Sequence, residues 1–156
     1  MTTATAAETK TPPQAATDLA NVFHRVPFLK LLGVTRESSE NGLAHLRMPM
    51  RPEFTNLLDA AHGGVLMALL DTAMASAAVS SVGFRSSAVT LSINVTFLQP
   101  GRGTLTIEGK RSGGGRSICY CEGTVIDEQG TVLARAIGTF RFINLVLAPD
   151  RPATAA

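Results

Sequence analysis

Residues 63–79, GGVLMALLDTAMASAAV, constrain the fold more than any other stretch of the chain. Their spacing predicts a helix roughly 24 Å long at 1.5 Å per residue. Apolar side chains and alanines lie on nearly every side of it, so this helix belongs inside the molecule and the rest of the chain has to cover it. Its many small residues let strands pack closely over it. Two features do not suit a plain core helix: it opens on His62-Gly63-Gly64, and it carries a carboxylate, Asp71, in the middle of its apolar run.

The remainder of the chain reads mainly as strands. Leu19, Val22, Phe23 and Val26 have helical spacing over Asp18–Arg25, with Thr17 or Asp18 as the cap. Pro27 ends or kinks that helix, and Phe28–Leu32 makes one more short turn before Gly33. Val34–Glu40 and Leu43–Met50 flank Asn41-Gly42, a strong hairpin signal because both turn positions require positive φ. In the second strand Ala44, Leu46 and Met48 point one way, and His45 and Arg47 the other. A Pro- and Asn-containing loop fills 51–61. From Ser87 to Leu98 alternation predicts one face of Val89, Leu91, Ile93, Val95 and Phe97, and another of Thr90, Ser92, Asn94 and Thr96. Strands Thr104–Arg111, Ser117–Asp127 and Thr131–Ile143 follow, separated by Ser112-Gly-Gly-Gly115 and Glu128-Gln-Gly130. Hairpin-length connections rule out a parallel Rossmann-type sheet. The expected fold is α+β, with about six antiparallel strands in a curved sheet around one buried helix. The expected domain covers 17–146, between floppy tails at 1–16 and 147–156.

Composition narrows the function classes. A 45% apolar, 17% charged chain of 156 residues can bury a real core in one domain. With no Trp, 5% aromatics and a formal charge of +2, a nucleic-acid surface is not expected. No segment approaches the ~20 apolar residues of a membrane span, and the first residues lack the apolar core of a secretory signal. Cys119 and Cys121 would share one strand face. They are too close along the chain for an ordinary disulfide and lack zinc-ligand spacing, as suits two small side chains in a reducing cytoplasm. No metal site, P-loop or dinucleotide fingerprint is present, so no cofactor is expected.

Asp71 is the residue that most needs a reason. A carboxylate among Met67, Ala68, Leu70, Met74 and Ala75 is costly unless something compensates it. A backbone amide or an Arg could do so in a purely structural role; otherwise it is a nucleophile or general base. The helix start supplies chemistry to match. The first amides of a helix lack internal partners, glycine lets a ligand approach the backbone, and the dipole favours negative charge there. Gly63 is therefore a candidate oxyanion donor. Yet Gly63 and Asp71 lie eight residues apart, about 12 Å along a helix. Both must sit within about 3 Å of the reacting group. Within one chain only a large substrate or a bend could span that gap; antiparallel helices in a two-fold dimer would bring Asp71 of one subunit to Gly63 of the other. The expectation is two active sites per dimer, each shared across the interface.

With these residues in view, residues 28–143 resemble hotdog-fold acyl-CoA thioesterases of the phenylacetate-pathway (PaaI-like) group. The resemblance rests on Phe28-Leu-Lys-Leu-Leu-Gly33, on Asn56 six residues before His62, on His62-Gly63-Gly64, and on Asp71 nine residues after His62. Thr90-Leu-Ser-Ile-Asn-Val-Thr-Phe-Leu-Gln-Pro100 and Gly130-Thr-Val-Leu-Ala-Arg-Ala-Ile-Gly-Thr-Phe140 extend it. It implies a dimer with a continuous sheet, often paired into a homotetramer, that hydrolyses acyl-CoA. It also implies that Asp71 is the catalytic carboxylate and the Gly63 amide the oxyanion donor. His62 would orient or polarise near the thioester, Asn56 would help place water or substrate, and Thr90 would set a hydroxyl near the carboxylate.

Coenzyme A phosphates would meet Lys110, Arg111 and Arg116 around the glycines of Ser112–Gly115, Gly114 included, with Gly64 also on the substrate and Arg102 a weaker candidate. A solvated hairpin with routine surface charges is the competing reading. His24 and His45 read as structural or surface residues. An acyl-CoA-binding module without turnover and a hotdog hydratase or dehydratase are the rival functions. Val65, Leu66, Leu69 and Met74 are expected in the acyl-pocket wall. Aromatic and medium-chain aliphatic acyl groups both fit, as do coenzyme A and acyl carrier protein as the thiol.

Overall fold

A computed structural model of the chain describes residues 20–144. Both tails, and the Thr17, Asp18 and Leu19 start of the first helix, lie outside the described residues. Within them, a 3-10 turn at Val22–Arg25 leads through Val26 into a short helix, α1 (Pro27–Leu32). Pro27 stands at the helix start, where its missing N–H costs nothing.

The first hairpin, β1 (Thr35–Glu40) and β2 (Leu43–Pro49), turns on Asn41 at φ 50° and Gly42 at φ 84°. Ala44, Leu46 and Met48 are completely buried on one face. On the other face His45 meets Glu108 at 3.3 Å, and its Nδ1 lies 2.9 Å from the Ser38 hydroxyl. A loop containing a 3-10 turn at Pro52–Phe54 then carries the chain to the long helix, α2 (Gly63–Ser80). After it come β3 (Ser87–Phe97), β4 (Thr104–Gly114), β5 (Ile118–Ile126) and β6 (Val132–Ile143). The six strands form one antiparallel sheet in the order β1-β2-β4-β5-β6-β3, and α2 packs across it. This is the expected α+β arrangement of a sheet around one helix.

Close approach between sheet and helix depends on missing side chains. A Cβ on Gly109 would overlap the Ala73 carbonyl, and one on Gly123 would come within 2.9 Å of Leu70 Cδ2. Gly109 and Gly123 are cross-strand partners, so the gap spans two strands just where the helix crosses them. Leu66, Leu69, Leu70, Ala73, Met74, Ala77 and Ala78 fill the inner face of α2. Cys119 and Cys121 join this core from β5 as free thiols, and burial pushes the Cys121 thiol up to about 12.

Four sequence expectations need correction. The helix is not covered all round: Gly64 and Met67 are exposed and Asp71 and Ala75 half-buried, one stripe along its length. By length and a mean hydropathy of 1.4, α2 would also suit a membrane span, although no segment was expected to come near one; here half of it is buried within the protein. Strand β4 does not stop at Arg111. It runs through Ser112 and Gly113 to Gly114, where φ is 101° and a Cβ would lie 2.5 Å from Ile118 O and Cys119 Cα. Glycine keeps the strand paired where any other residue would push it away.

The fourth correction bears on chemistry. The alternation of β3 breaks at Leu91, where the register with β6 shifts. Thr90 pairs with buried Phe140, while Ser92 pairs with Thr139. Directly opposed residues share a sheet face. Thr90 therefore lies on the helix side, together with Ile93 and Val95, and not with Ser92, Asn94 and Thr96. A β-bulge inserts one residue and so reverses which side chains face inward beyond it.

Candidate active site

The bulge brings Thr90 to Asp71. The threonine hydroxyl donates a 2.7 Å hydrogen bond to Asp71 Oδ1. The carboxylate is half-buried on the open stripe of α2, so one oxygen is held while the other keeps free lone pairs. Thr72, next to it, turns its own hydroxyl back to the Ala68 carbonyl at 2.7 Å, in the manner usual for a helical threonine.

Asp71 borders a cavity of about 400 Å3 whose wall is mainly apolar: Phe23, Val26, Leu29, Ala75, Val79 and Phe84. The expected wall residues Leu66, Leu69 and Met74 point instead into the core, because their helical phase turns them to the sheet. The N-terminal segment supplies Phe23 and Val26, which periodicity placed on a helix face but not in this wall, and the turn after α2 supplies Phe84. One lining residue is charged. Arg36 lines the same cavity from β1, where its cross-strand partner is the inward-facing Leu46. Burial lowers its pKa. The available signal was its position two residues after Val34 on a strand with one face to the core.

The start of α2 is organised separately. Asn56 Oδ1 accepts from the Leu58 and Ala60 amides at 2.9 and 3.3 Å. Arg102 donates to the Leu58 and Asp59 carbonyls, and a bridge between Thr55 and Ala61 closes the loop. His62 is the N-cap: its Nδ1 accepts from the Gly64 amide at 3.0 Å. An accepting Nδ1 puts the ring proton of the neutral imidazole on Nε2, as a donor directed elsewhere. The Gly64 amide thus has a partner within its own loop. Gly63, the first helical residue, sits where a Cβ would touch the Phe97 ring at 3.4 Å, and no acceptor for its N–H is found among the described residues. Asn56 and His62 line one open hollow with Leu57 and Leu58, the former fully exposed.

The basic cluster around Gly113–Gly115 divides. Arg111 turns to the helix side, donates to the Gly113, Gly114 and Gly115 carbonyls and to the Ser81 hydroxyl, and stacks on Phe142. It fastens the hairpin tip to the end of α2. Lys110 and Arg116 are exposed, with Lys110 opposite Glu122 in the sheet. No group of three or more His, Cys, Asp or Glu side chains suited to a metal ion occurs among the described residues.

The structure therefore makes two clusters on one helix: Thr90 with Asp71, and Asn56 with His62, Gly63 and Gly64 eight residues earlier. Comparison with known proteins gives these clusters a setting. A family model for the thioesterase superfamily matches residues 58–134. A putative esterase of Saccharolobus solfataricus is 33% identical over 116 residues, 74% of this chain and 82% of that protein. Among solved structures, the Escherichia coli PaaI protein from the phenylacetic acid degradation operon superposes with a TM-score of 0.75 at 26% identity, over 83% of this chain and 94% of that one. A Streptococcus mutans protein bound to acetyl CoA gives 0.66 at 26% identity, over 71% and 89%.

Proposed function

Since the chain belongs to the hotdog-fold thioesterase superfamily, we propose that it is an acyl-CoA thioesterase of the PaaI-like group, working in the cytoplasm as a homodimer that pairs into a homotetramer. The observation that carries this reading is the Asp71 carboxylate, fixed by Thr90 at the edge of an apolar cavity. The cavity accepts the acyl group. Asp71 takes a proton from water as the water oxygen attacks the thioester carbonyl, and the Gly63 N–H of the second subunit receives the oxyanion. Collapse breaks the C–S bond and expels the coenzyme A thiolate, which takes back the proton from Asp71. His62 Nε2–H and the Asn56 amide place the thioester and the water, while Lys110, Arg116 and the Gly114 turn meet the phosphates.

Support for the dimer comes from what one chain leaves uncovered. The open stripe of α2, the apolar side chains of edge strand β3 such as Leu91 and Phe97, and Leu57 and Leu58 all face solvent. Pairing β3 with its two-fold mate would continue the sheet and lay the two helices antiparallel. The acetyl-CoA complex of the Streptococcus mutans relative supports coenzyme A as the thiol.

The test is thiol release from a panel of aromatic and aliphatic CoA esters. Asp71→Asn should lower kcat by about 10²–10⁴-fold while assembly and thermal midpoint hold. Wild-type turnover in that variant would remove the mechanism. Tight acyl-CoA binding by the native protein with no thiol released would make it a binding module, and hydration of an enoyl-CoA would make it a hydratase.

A further inference from the structure

Arg36 has no counterpart in the chemistry described so far. Its guanidinium lies 4.9 Å from the Phe23 ring centroid and 5.7 Å from that of Phe84. One terminal nitrogen donates to the Ala20 carbonyl. The attraction to the rings is electrostatic, and of the five guanidinium N–H donors only the one to Ala20 meets an acceptor among the described residues. Among the described residues no carboxylate forms an ion pair with it; Asp71, although it lines the same cavity, does not. A half-buried cation with no acidic partner among the described residues is costly to maintain in an apolar wall.

The cavity has a direction. Asp71, Ala75 and Val79 line it at four-residue intervals along one side of α2, a run of about 12 Å. Phe84 lies at the Val79 end, since its amide donates to the Val79 carbonyl at 3.1 Å. Arg36 stacks over Phe84, so the cation stands toward the end of the cavity away from Asp71. An acyl chain with its carbonyl at Asp71 would run past apolar walls and finish at a guanidinium.

Resting on the thioesterase reading above, we propose that Arg36 is a specificity residue that selects acyl groups ending in a carboxylate, so that the substrates are ω-carboxyacyl thioesters. A carboxylate is the group whose two oxygens match two parallel guanidinium N–H groups, and at the Arg36 end of the cavity it would meet a cation that Asp71, at the other end, does not pair. A terminal methyl would leave the same donors unpaired, and sites built to hydrogen-bond a substrate discriminate strongly against analogues that cannot reciprocate.

The experiment compares kcat/KM for suberoyl-CoA and adipoyl-CoA with that for octanoyl-CoA and hexanoyl-CoA. The wild-type protein should favour the acid-ended member of each pair by about tenfold or more. Arg36→Met keeps an unbranched side chain against the two phenyl rings. It should abolish the preference mainly through a raised KM for the acid-ended esters, so that kcat/KM within each pair becomes about equal. Arg36→Lys, which keeps the charge, should retain part of the preference. Turnover of methyl-ended esters with no advantage for acid-ended ones overturns this inference alone, as does an Arg36→Met variant that loses both classes equally. Release of thiol from no ester at all overturns the thioesterase reading and this inference with it.

Discussion

The two clusters on α2 are held in opposite ways. At the start of the helix, Asn56 binds the Leu58 and Ala60 amides and His62 binds the Gly64 amide, all within nine residues of sequence. At Asp71 the partner is Thr90, nineteen residues on and in another element. The loop is thus a local structure that satisfies itself and leaves over a few donors: the Gly63 N–H, the imidazole Nε2–H and the Asn56 amide hydrogens. The carboxylate is an acceptor that depends on the tertiary fold. Donors at one place and an acceptor about 12 Å along the same helix are complementary halves, and the proposed dimer is the arrangement in which a second helix would bring them together.

After Asp71→Asn, the largest effect should come from separating the halves genetically. Gly63→Pro removes the proposed oxyanion donor at the one helix position where proline is favoured. The extended conformation of His62, at ψ 137°, suits a following proline. Thiol release should fall about 10²–10³-fold while circular dichroism stays native. Gly63→Ala, which keeps the N–H, should retain far more activity. Co-expressing Gly63→Pro with Asp71→Asn then tests the interface. A mixed dimer has one site with both lesions and one with neither, so random pairing should restore about a quarter of wild-type activity. No recovery in purified mixed dimers would mean that each chain completes its own site.

A smaller effect is expected from the tertiary contact. Thr90→Val removes the hydroxyl while keeping the branched shape, and a hydrogen bond to a charged group contributes about 1.5–3 kcal/mol. Activity should fall about ten- to a hundredfold by the same reasoning, whereas Thr90→Ser should remain close to wild type. Equal losses in both would show that the methyl group, through packing on β3, matters more than the bond to Asp71.

This contrast also explains what could be read from sequence. The hairpin at Asn41-Gly42, the burial of Ala44, Leu46 and Met48, and the span of α2 follow from turn chemistry and periodicity, which act over a few residues. The chemical interest of His62-Gly63-Gly64 was legible for the same reason: a helix start offers free amides whatever surrounds it. The face of Thr90 was not. Perfect alternation assigned it to the side of Ser92, and only pairing with β6 reveals the bulge at Leu91 that turns it to the helix. Resemblance to a family brought Thr90 into consideration while periodicity argued against it. Arg111 was misleading in a related way. A basic residue beside glycines suits a phosphate, but its donors go to the carbonyls of the hairpin those glycines form. Arg36 was overlooked because its neighbours Phe23 and Phe84 come from segments far apart in the chain.

The smallest expected effect tests whether the loop's self-sufficiency is separable from its chemistry. His62 has two ring nitrogens with different duties: Nδ1 caps α2 through the Gly64 amide, and Nε2–H faces outward. His62→Ala removes both, and loss of an N-cap typically costs about 1 kcal/mol. His62→Asn and His62→Ser restore a good capping oxygen but not the outward donor. If the two duties are independent, Asn and Ser should recover the thermal midpoint lost in Ala while thiol release stays depressed in all three. Recovery of activity together with stability would mean that His62 contributes by holding the helix start in place, so that the Gly63 N–H points correctly, and that the imidazole itself meets nothing in the site.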